Sequence, residues 1–231
     1  MIYGIPALND NYIWVIVTEG AVVVDPGEAA PVLAFLKDRG LTLQGILTTH
    51  KHGDHTGGVA ELVRAYPDVS VYGPREVGQL ATAVVAEGDT VTLDGRVFHV
   101  LSTPGHTETH ISYLTDGKLF CGDAMFSAGC GRVFTGDFHA QFQTMAAFKA
   151  LPPGTEVYAA HEYTLTNLTF ARDVLPENRD IESAYNEVKA MRAQGRRTLP
   201  STIERERAIN PFFIAEDEAT FIAYRKKRDT Y

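Results

Sequence analysis

Apolar positions in the first two-thirds of the chain gather into short runs rich in β-branched and aromatic residues, each closed by turn-forming residues. Tyr12 to Val17 (YIWVIV), Ala21 to Val24, Gly45 to Thr49, Val69 to Tyr72, Val97 to Leu101, Ile111 to Leu114, Lys118 to Cys121 and Glu156 to Ala160 are of this kind and predict strands. Several are continuous rather than alternating, which predicts sheets covered on both faces. Between them the spacing turns helical. Pro31 to Arg39 places Val32, Leu33 and Leu36 on one face, and Gly58 to Tyr66 does the same with Val59, Leu62, Val63 and Tyr66. Strands interleaved with helices predict a layered α/β body. Leu151 to Thr164 (LPPGTEVYAAHEYT) reads as a Pro-Gly turn, a strand and a polar exit, and no strand pattern follows it. Residues 165–175, 181–194 and 216–228 read as helices. The pattern thus divides the chain into an α/β part, 1–163, and a small helical appendage, 164–231.

Composition narrows the class. A chain of 231 residues with 45% hydrophobic and 22% charged content can bury a substantial core and is neither disordered nor fibrous. It holds no apolar run of 18 residues, and Met1 to Asp10 lacks the basic leader and apolar stretch of a secretory signal, so no membrane partner and a cytoplasmic location are expected. A monomer is expected. Cys121 and Cys130 are too few for a disulfide framework and read as two small buried side chains. Net charge is −8, unevenly placed: residues 1–163 carry 9 Lys+Arg against 18 Asp+Glu, and residues 164–231 carry 12 against 11. An acidic body argues against nucleic acid as a partner, which needs basic surface to neutralise phosphates. All eight histidines lie at or before position 161.

The histidines carry the chemistry. His50-Lys51-His52-Gly53-Asp54-His55 forms an H-x-H-x-D-H cluster directly after an apolar strand and before a helical segment. Ligands collect at such a place in open α/β sheets, because a loop at a strand's carboxyl end turns several side chains into one crevice. Three more candidates stand at strand-to-loop transitions: His106 in Thr103-Pro104-Gly105-His106, Asp123 in Cys121-Gly122-Asp123, and His161 after Val157 to Ala160. Nitrogen and oxygen donors without thiolate suit Zn²⁺, Fe or Mn²⁺, and seven ligands are too many for one tetrahedral ion. Two divalent ions fit better. The most economical arrangement gives His50, His52 and His106 to one, Asp54, His55 and His161 to the other, and makes Asp123 the bridge, with a hydroxide shared between the metals. Asp25, ending another strand before Pro26-Gly27, is a candidate to orient a ligand imidazole from behind. His110 reads as a packing or orienting residue, and His99 and His139 as surface positions, the latter in a polar loop before a helix.

H-x-H-x-D-H with the later Pro-Gly-His, Gly-Asp and His resembles the metallo-β-lactamase superfamily, which implies an αββα sandwich with a dinuclear site along one edge. Within it the chain resembles the glyoxalase II (hydroxyacylglutathione hydrolase) family over nearly its whole length. That resemblance rests further on Asn9-Asp10-Asn11-Tyr12, Gly129-Cys130-Gly131-Arg132-Val133-Phe134, Ala160-His161-Glu162-Tyr163-Thr164, Glu206-Arg207 with Asn210-Pro211-Phe212, and Arg225-Lys226-Lys227-Arg228-Asp229. It implies hydrolysis of glutathione thioesters, with S-D-lactoylglutathione the family's substrate, and zinc as the first expectation for both metals. It also implies glutathione contacts at Arg132, Phe134, Tyr163, Arg225 and Arg228. Arginine suits this task because its planar fork of donors matches a carboxylate. The alternative is another enzyme of the superfamily: a lactonase, a β-lactamase or a sulfur dioxygenase.

Overall fold

The computed structural model describes residues 1–231. The chain opens with β1 (Ile2–Ala7), β2 (Asn11–Val17) and β3 (Ala21–Val24), then α1 (Ala30–Arg39), β4 (Leu43–Leu47), α2 (Gly53–Thr56), α3 (Val59–Ala65), β5 (Val71–Gly73) and β6 (Ala83–Val84). These six strands form one sheet in sequential order, antiparallel from β1 to β3 and parallel from β3 to β6. There follow β7 (Thr90–Leu93), β8 (Arg96–Ser102), β9 (Ile111–Thr115), β10 (Lys118–Gly122), a small hairpin of β11 (Met125–Phe126) and β12 (Gly129–Cys130), α4 (Phe138–Lys149) and β13 (Glu156–Ala159). The remainder is α5 (Thr164–Val174), α6 (Arg179–Ala193), β14 (Ser201–Thr202), α7 (Ile203–Ile209), α8 (Pro211–Ile214) and α9 (Glu218–Asp229). The second sheet runs β14-β13-β10-β9-β8-β7.

The two sheets face each other with helices outside. Period-two alternation on β2 sends Tyr12, Trp14 and Ile16 into the layer between the sheets, where they join Phe98, Val100, Tyr113 and Phe120 of the second sheet. Ile13 and Val15 point the other way, against Val32 and Leu36 of α1 and Val59 and Leu62 of α3. Two-sided burial explains why these strands read as unbroken apolar runs. The core between the sheets continues into Met145 and Phe148 of α4 and Phe170, Phe212, Phe213 and Phe221 of the C-terminal helices.

Several predicted boundaries move. Thr48 and Thr49 leave β4 and enter the loop that begins the histidine cluster. A strand does follow residue 164: β14 pairs antiparallel with β13, Glu156 opposite Thr202, so the second sheet recruits its edge from the C-terminal region. Two residues are too short a run to show periodicity. His139 lies in the first turn of α4 rather than before it; Asp137 caps that helix, accepting from the Ala140 amide at 2.9 Å.

Candidate metal centre

Carboxyl-terminal strand ends of both sheets deliver the predicted ligands to one edge of the sandwich. β4 leads into Thr48 to His52 and the short α2, which carries Asp54 and His55; β8 leads to His106, β10 to Asp123 and β13 to His161. Ligand atoms of His50, His52 and His106 lie within 4.8 Å of one another, as do those of Asp54, His55 and His161. Asp123 reaches both groups. Its Oδ1 is 3.2 Å from His55 Nε2 and 3.3 Å from His161 Nε2, and its Oδ2 is 3.4 Å from His106 Nε2.

Hydrogen bonds behind the rings aim them. Asp25 accepts from the Thr49 amide and hydroxyl, both at 2.8 Å, and from His55 Nδ1 at 3.1 Å. With its proton committed to Asp25, the Thr49 hydroxyl accepts from His50 Nδ1 at 3.0 Å. His106 Nδ1 donates to the Arg132 carbonyl at 2.9 Å, and His161 Nδ1 donates to Asp10 Oδ1 at 2.7 Å. Each of these four imidazoles therefore turns an Nε2 toward the centre, as metal-binding histidines do when their other nitrogen is anchored. His52 presents Nδ1 instead, 3.1 Å from His50 Nε2 and 3.0 Å from His106 Nε2. Asn11 donates to Asp54 Oδ2 at 3.1 Å. His110 stacks on His50 at 4.9 Å and accepts from the Asp123 amide at 3.3 Å, so it orients the carboxylate's backbone. His99 is exposed, and exposed His139 meets Glu218 at 2.9 Å.

The donor set fits divalent cations. His55 Nε2 and Asp123 Oδ1 are buried and lack any hydrogen-bond partner of acceptable geometry despite lying 3.2 Å apart, a costly state that a cation between them would relieve. Burial, then the neighbouring His55, holds His50 well below the usual imidazole range, leaving it neutral and free to ligate. At His161 burial works against the cation, but the Asp123 and Asp54 carboxylates outweigh it and push the pKa up to about 10. Both cysteines stay apart: they are free and buried, and burial pushes the Cys130 thiol up to about 11.

Space is tight around the ligands. A Cβ on Gly131 would stand 1.9 Å from the Asp123 carbonyl and 3.0 Å from His106 Nδ1, so only glycine lets that loop pass. Beyond it lies a cavity of about 270 Å³ lined by Phe126, Cys130, Arg132, Tyr163, Asn167, Arg225 and Arg228. Tyr163 stacks on His161 at 4.7 Å, which joins the cavity to the ligand cluster. Phe134, 62% exposed, sets its ring edgewise to His52 and His106 at the mouth.

The five predicted substrate contacts are not equivalent. Arg132 is exposed and pairs with Asp229 at 3.1 Å, and Arg228 is half-buried with one nitrogen on Asn167 Oδ1 at 3.3 Å. Arg225 is 5% exposed, and its guanidinium is spent on the chain itself: on the Cys130 carbonyl at 2.6 Å and Asp229 at 3.0 Å.

Comparison with known proteins shows the family and the fold. Residues 6–161 match the family model of the metallo-beta-lactamase superfamily, and residues 162–230 match that of the hydroxyacylglutathione hydrolase C-terminus. A hydroxyacylglutathione hydrolase from Haemophilus ducreyi is 51% identical over 232 residues, covering 100% of this chain and 99% of its own. The chain belongs to the hydroxyacylglutathione hydrolase family. Among solved structures, ETHE1 from Myxococcus xanthus is similar with a TM-score of 0.75 and 26% identity, over 98% of this chain and 90% of its own. TTHA1623, solved in a di-iron-bound form, has a TM-score of 0.67 and 25% identity over 91% and 99%. The metallo-β-lactamase fold, joined to this cluster of histidines and aspartates, implies divalent metal ions. The two matched models meet at residues 161 and 162, where the candidate ligand His161 gives way to the helical region.

Asp10, Asn11 and Thr49 also belong to the site, though none stands out individually in the sequence. Asp10 and Asn11 sit in Asn9-Asp10-Asn11-Tyr12, and that motif was their only signal; the isolated bridge between Asn11 and His161 brings them to the site across 150 positions.

Proposed function

We propose that this chain hydrolyses glutathione thioesters, with S-D-lactoylglutathione as the first substrate, releasing D-lactate and glutathione and so detoxifying methylglyoxal. The observation that carries the reading is the cavity lined by Arg132, Tyr163 and Arg228, which opens beside His161 at the edge of the ligand cluster.

His50, His52 and His106 would hold one divalent ion, Asp54, His55 and His161 the other, and Asp123 both. Zinc suits the nitrogen and oxygen set; the di-iron form of a structural relative keeps iron in view. When bound, such ions supply Lewis acidity and lower the pKa of water from 15.7 toward ~7, which makes a nucleophile available at neutral pH. Asp123, held through its amide by His110, keeps the two ligand groups in register. Asp10, Asp25 and Thr49 lock the imidazole tautomers. Arg132 and Arg228 offer cationic donors to the carboxylates of the glutathione half, Tyr163 and Phe134 flank it, and Arg225 shapes the loop beneath. The departing thiol, with a pKa of ~8.5, leaves without a dedicated general acid, in keeping with a site where every acidic side chain is a ligand or orients one. Residues 1–163 thus carry the chemistry and one side of the substrate cavity, and residues 164–231 close its other side with Asn167, Arg225 and Arg228, in a cytoplasmic monomer.

The test is loss of thioester absorbance with S-D-lactoylglutathione on protein of determined metal content, beside a β-lactam control. Rapid turnover abolished by chelation is expected. Turnover of the β-lactam alone, or none with both metals bound, would overturn the reading.

A further inference from the structure

Glu206, part of a motif that the metal chemistry does not use, is 0% exposed. It rises from α7 in the helical region, yet its carboxylate reaches into the hairpin of the α/β part. One oxygen accepts from the hydroxyls of Ser127, at 2.8 Å, and Ser201; the other accepts from the Ala128 amide at 2.7 Å and Asn210 Nδ2 at 3.0 Å. Asn210 in turn donates to the Phe126 and Gly129 carbonyls, at 3.3 and 3.0 Å. Ser127 and Ala128 are the two turn residues between β11 and β12, and Ala128 stands at φ +54, a left-handed conformation that an L side chain seldom holds unaided.

What the hairpin carries makes this clamp functional. Phe126 sets its ring edgewise against His161 at 5.7 Å and Tyr163 at 5.1 Å. Cys130, at the other end, accepts from Arg225 through its carbonyl. Asn167 donates to the Ser127 carbonyl at 3.0 Å while accepting from Arg228. Phe126, Cys130, Tyr163, Asn167, Arg225 and Arg228 are the cavity wall. We propose that Glu206 is a positioning residue for substrate binding: from the helical region it clamps the Ser127–Ala128 turn and sets the wall of the cavity that takes the glutathione half of the substrate. This rests on the hydrolase reading for the identity of the ligand.

The bond pattern says which substitutions the site tolerates. Glutamine keeps an oxygen for the Ala128 amide and Asn210, and turns its amide toward two serine hydroxyls that can accept as readily as donate. Alanine leaves three buried donors, the Ser127 and Ser201 hydroxyls and the Ala128 amide, without a partner, while Asn210 keeps its two carbonyls. Steady-state kinetics on S-D-lactoylglutathione and hydrogen exchange at the Ala128 amide therefore separate positioning from bulk stability. Glu206→Ala is expected to raise KM about tenfold while kcat stays within about threefold and metal content is unchanged, with Glu206→Gln within about twofold of wild type in both constants. Exchange at Ala128 should quicken at least about tenfold in the alanine variant and stay slow in the glutamine variant.

A folded Glu206→Ala variant with unchanged KM and a protected Ala128 would overturn the proposal, as would glutamine proving as damaging as alanine. If Glu206→Ala fails to fold, Ser127→Ala decides: it deletes one donor, and a raised KM with faster Ala128 exchange supports the clamp, while wild-type values of both refute it. Inactivity of the wild-type chain on the thioester would instead refute the hydrolase reading, and exchange at Ala128 would still show whether Glu206 holds the turn.

Discussion

Asp123 has one oxygen on each side of the ligand cluster, a position that no other side chain shares. Asp123→Ala should therefore lower metal content and activity together, by more than the ~10- to 100-fold typical of losing a residue that only orients a ligand. Asp10→Ala should fall within that range, because it frees His161 Nδ1 without removing a donor. Metal analysis beside kinetics checks both, and full occupancy in Asp123→Ala would remove it as a shared ligand. Glu206 makes a pH prediction. Burial raises its pKa despite four hydrogen bonds, so the native state keeps the proton longer than an unfolded chain with a glutamate pKa of ~4.3. The stability that this protonation contributes is complete below ~4.3 and lost as pH rises through the folded value. Glu206→Gln should gain on wild type across that rise, measured as urea midpoints from about pH 4 to 7. At this scale the seven ligand candidates were legible, because imidazole and carboxylate at close spacing have few other uses. Thr49 and Asp10 were not, because a threonine or aspartate that aims a ring is indistinguishable in one dimension from a turn residue.

Each element places its residues by where it ends. The candidate ligands come from the carboxyl ends of β4, β8, β10 and β13, two sheets whose strand ends meet along one edge. α9 shows the finer consequence of helical spacing: Arg225 and Arg228, three apart, share a face but not a task. Arg225→Ala removes charged hydrogen bonds from buried carbonyls and should cost about 3 kcal/mol of stability, seen as a lower melting temperature. Arg228→Ala should leave the melting temperature nearly unchanged and raise KM about tenfold, some 1.4 kcal/mol of binding. Most of the longer strands and helices were legible from apolar periodicity, but β1, β7 and α7 were not. β14, α2, α8 and the β11–β12 hairpin were not, since runs of two to four residues show no period and owe their form to partners such as Glu206 and Asn210.

On the scale of the whole molecule the helical region is part of the core rather than attached to it. Phe170, Leu199, Ile203, Phe212, Phe213 and Phe221 belong to the same apolar cluster as Trp14 and Phe120, and β14 completes the second sheet. A chain ending at residue 163 would expose that surface and leave β13 an open edge, so it should fail to unfold cooperatively and should aggregate; circular dichroism and size exclusion would show it. The sequence alone determined the layered α/β class, the ligand chemistry and the family resemblance, because these depend on residue type and local spacing. Only the tertiary structure decided that Asp123 faces both ligand groups, that Arg225 serves the loop rather than open solvent, and that Glu206 reaches the hairpin. The Glu206 and Arg225 contacts join positions 79 and 95 residues apart, those of Asp123 depend on which way its side chain turns, and hydrophobic periodicity carries information about neither.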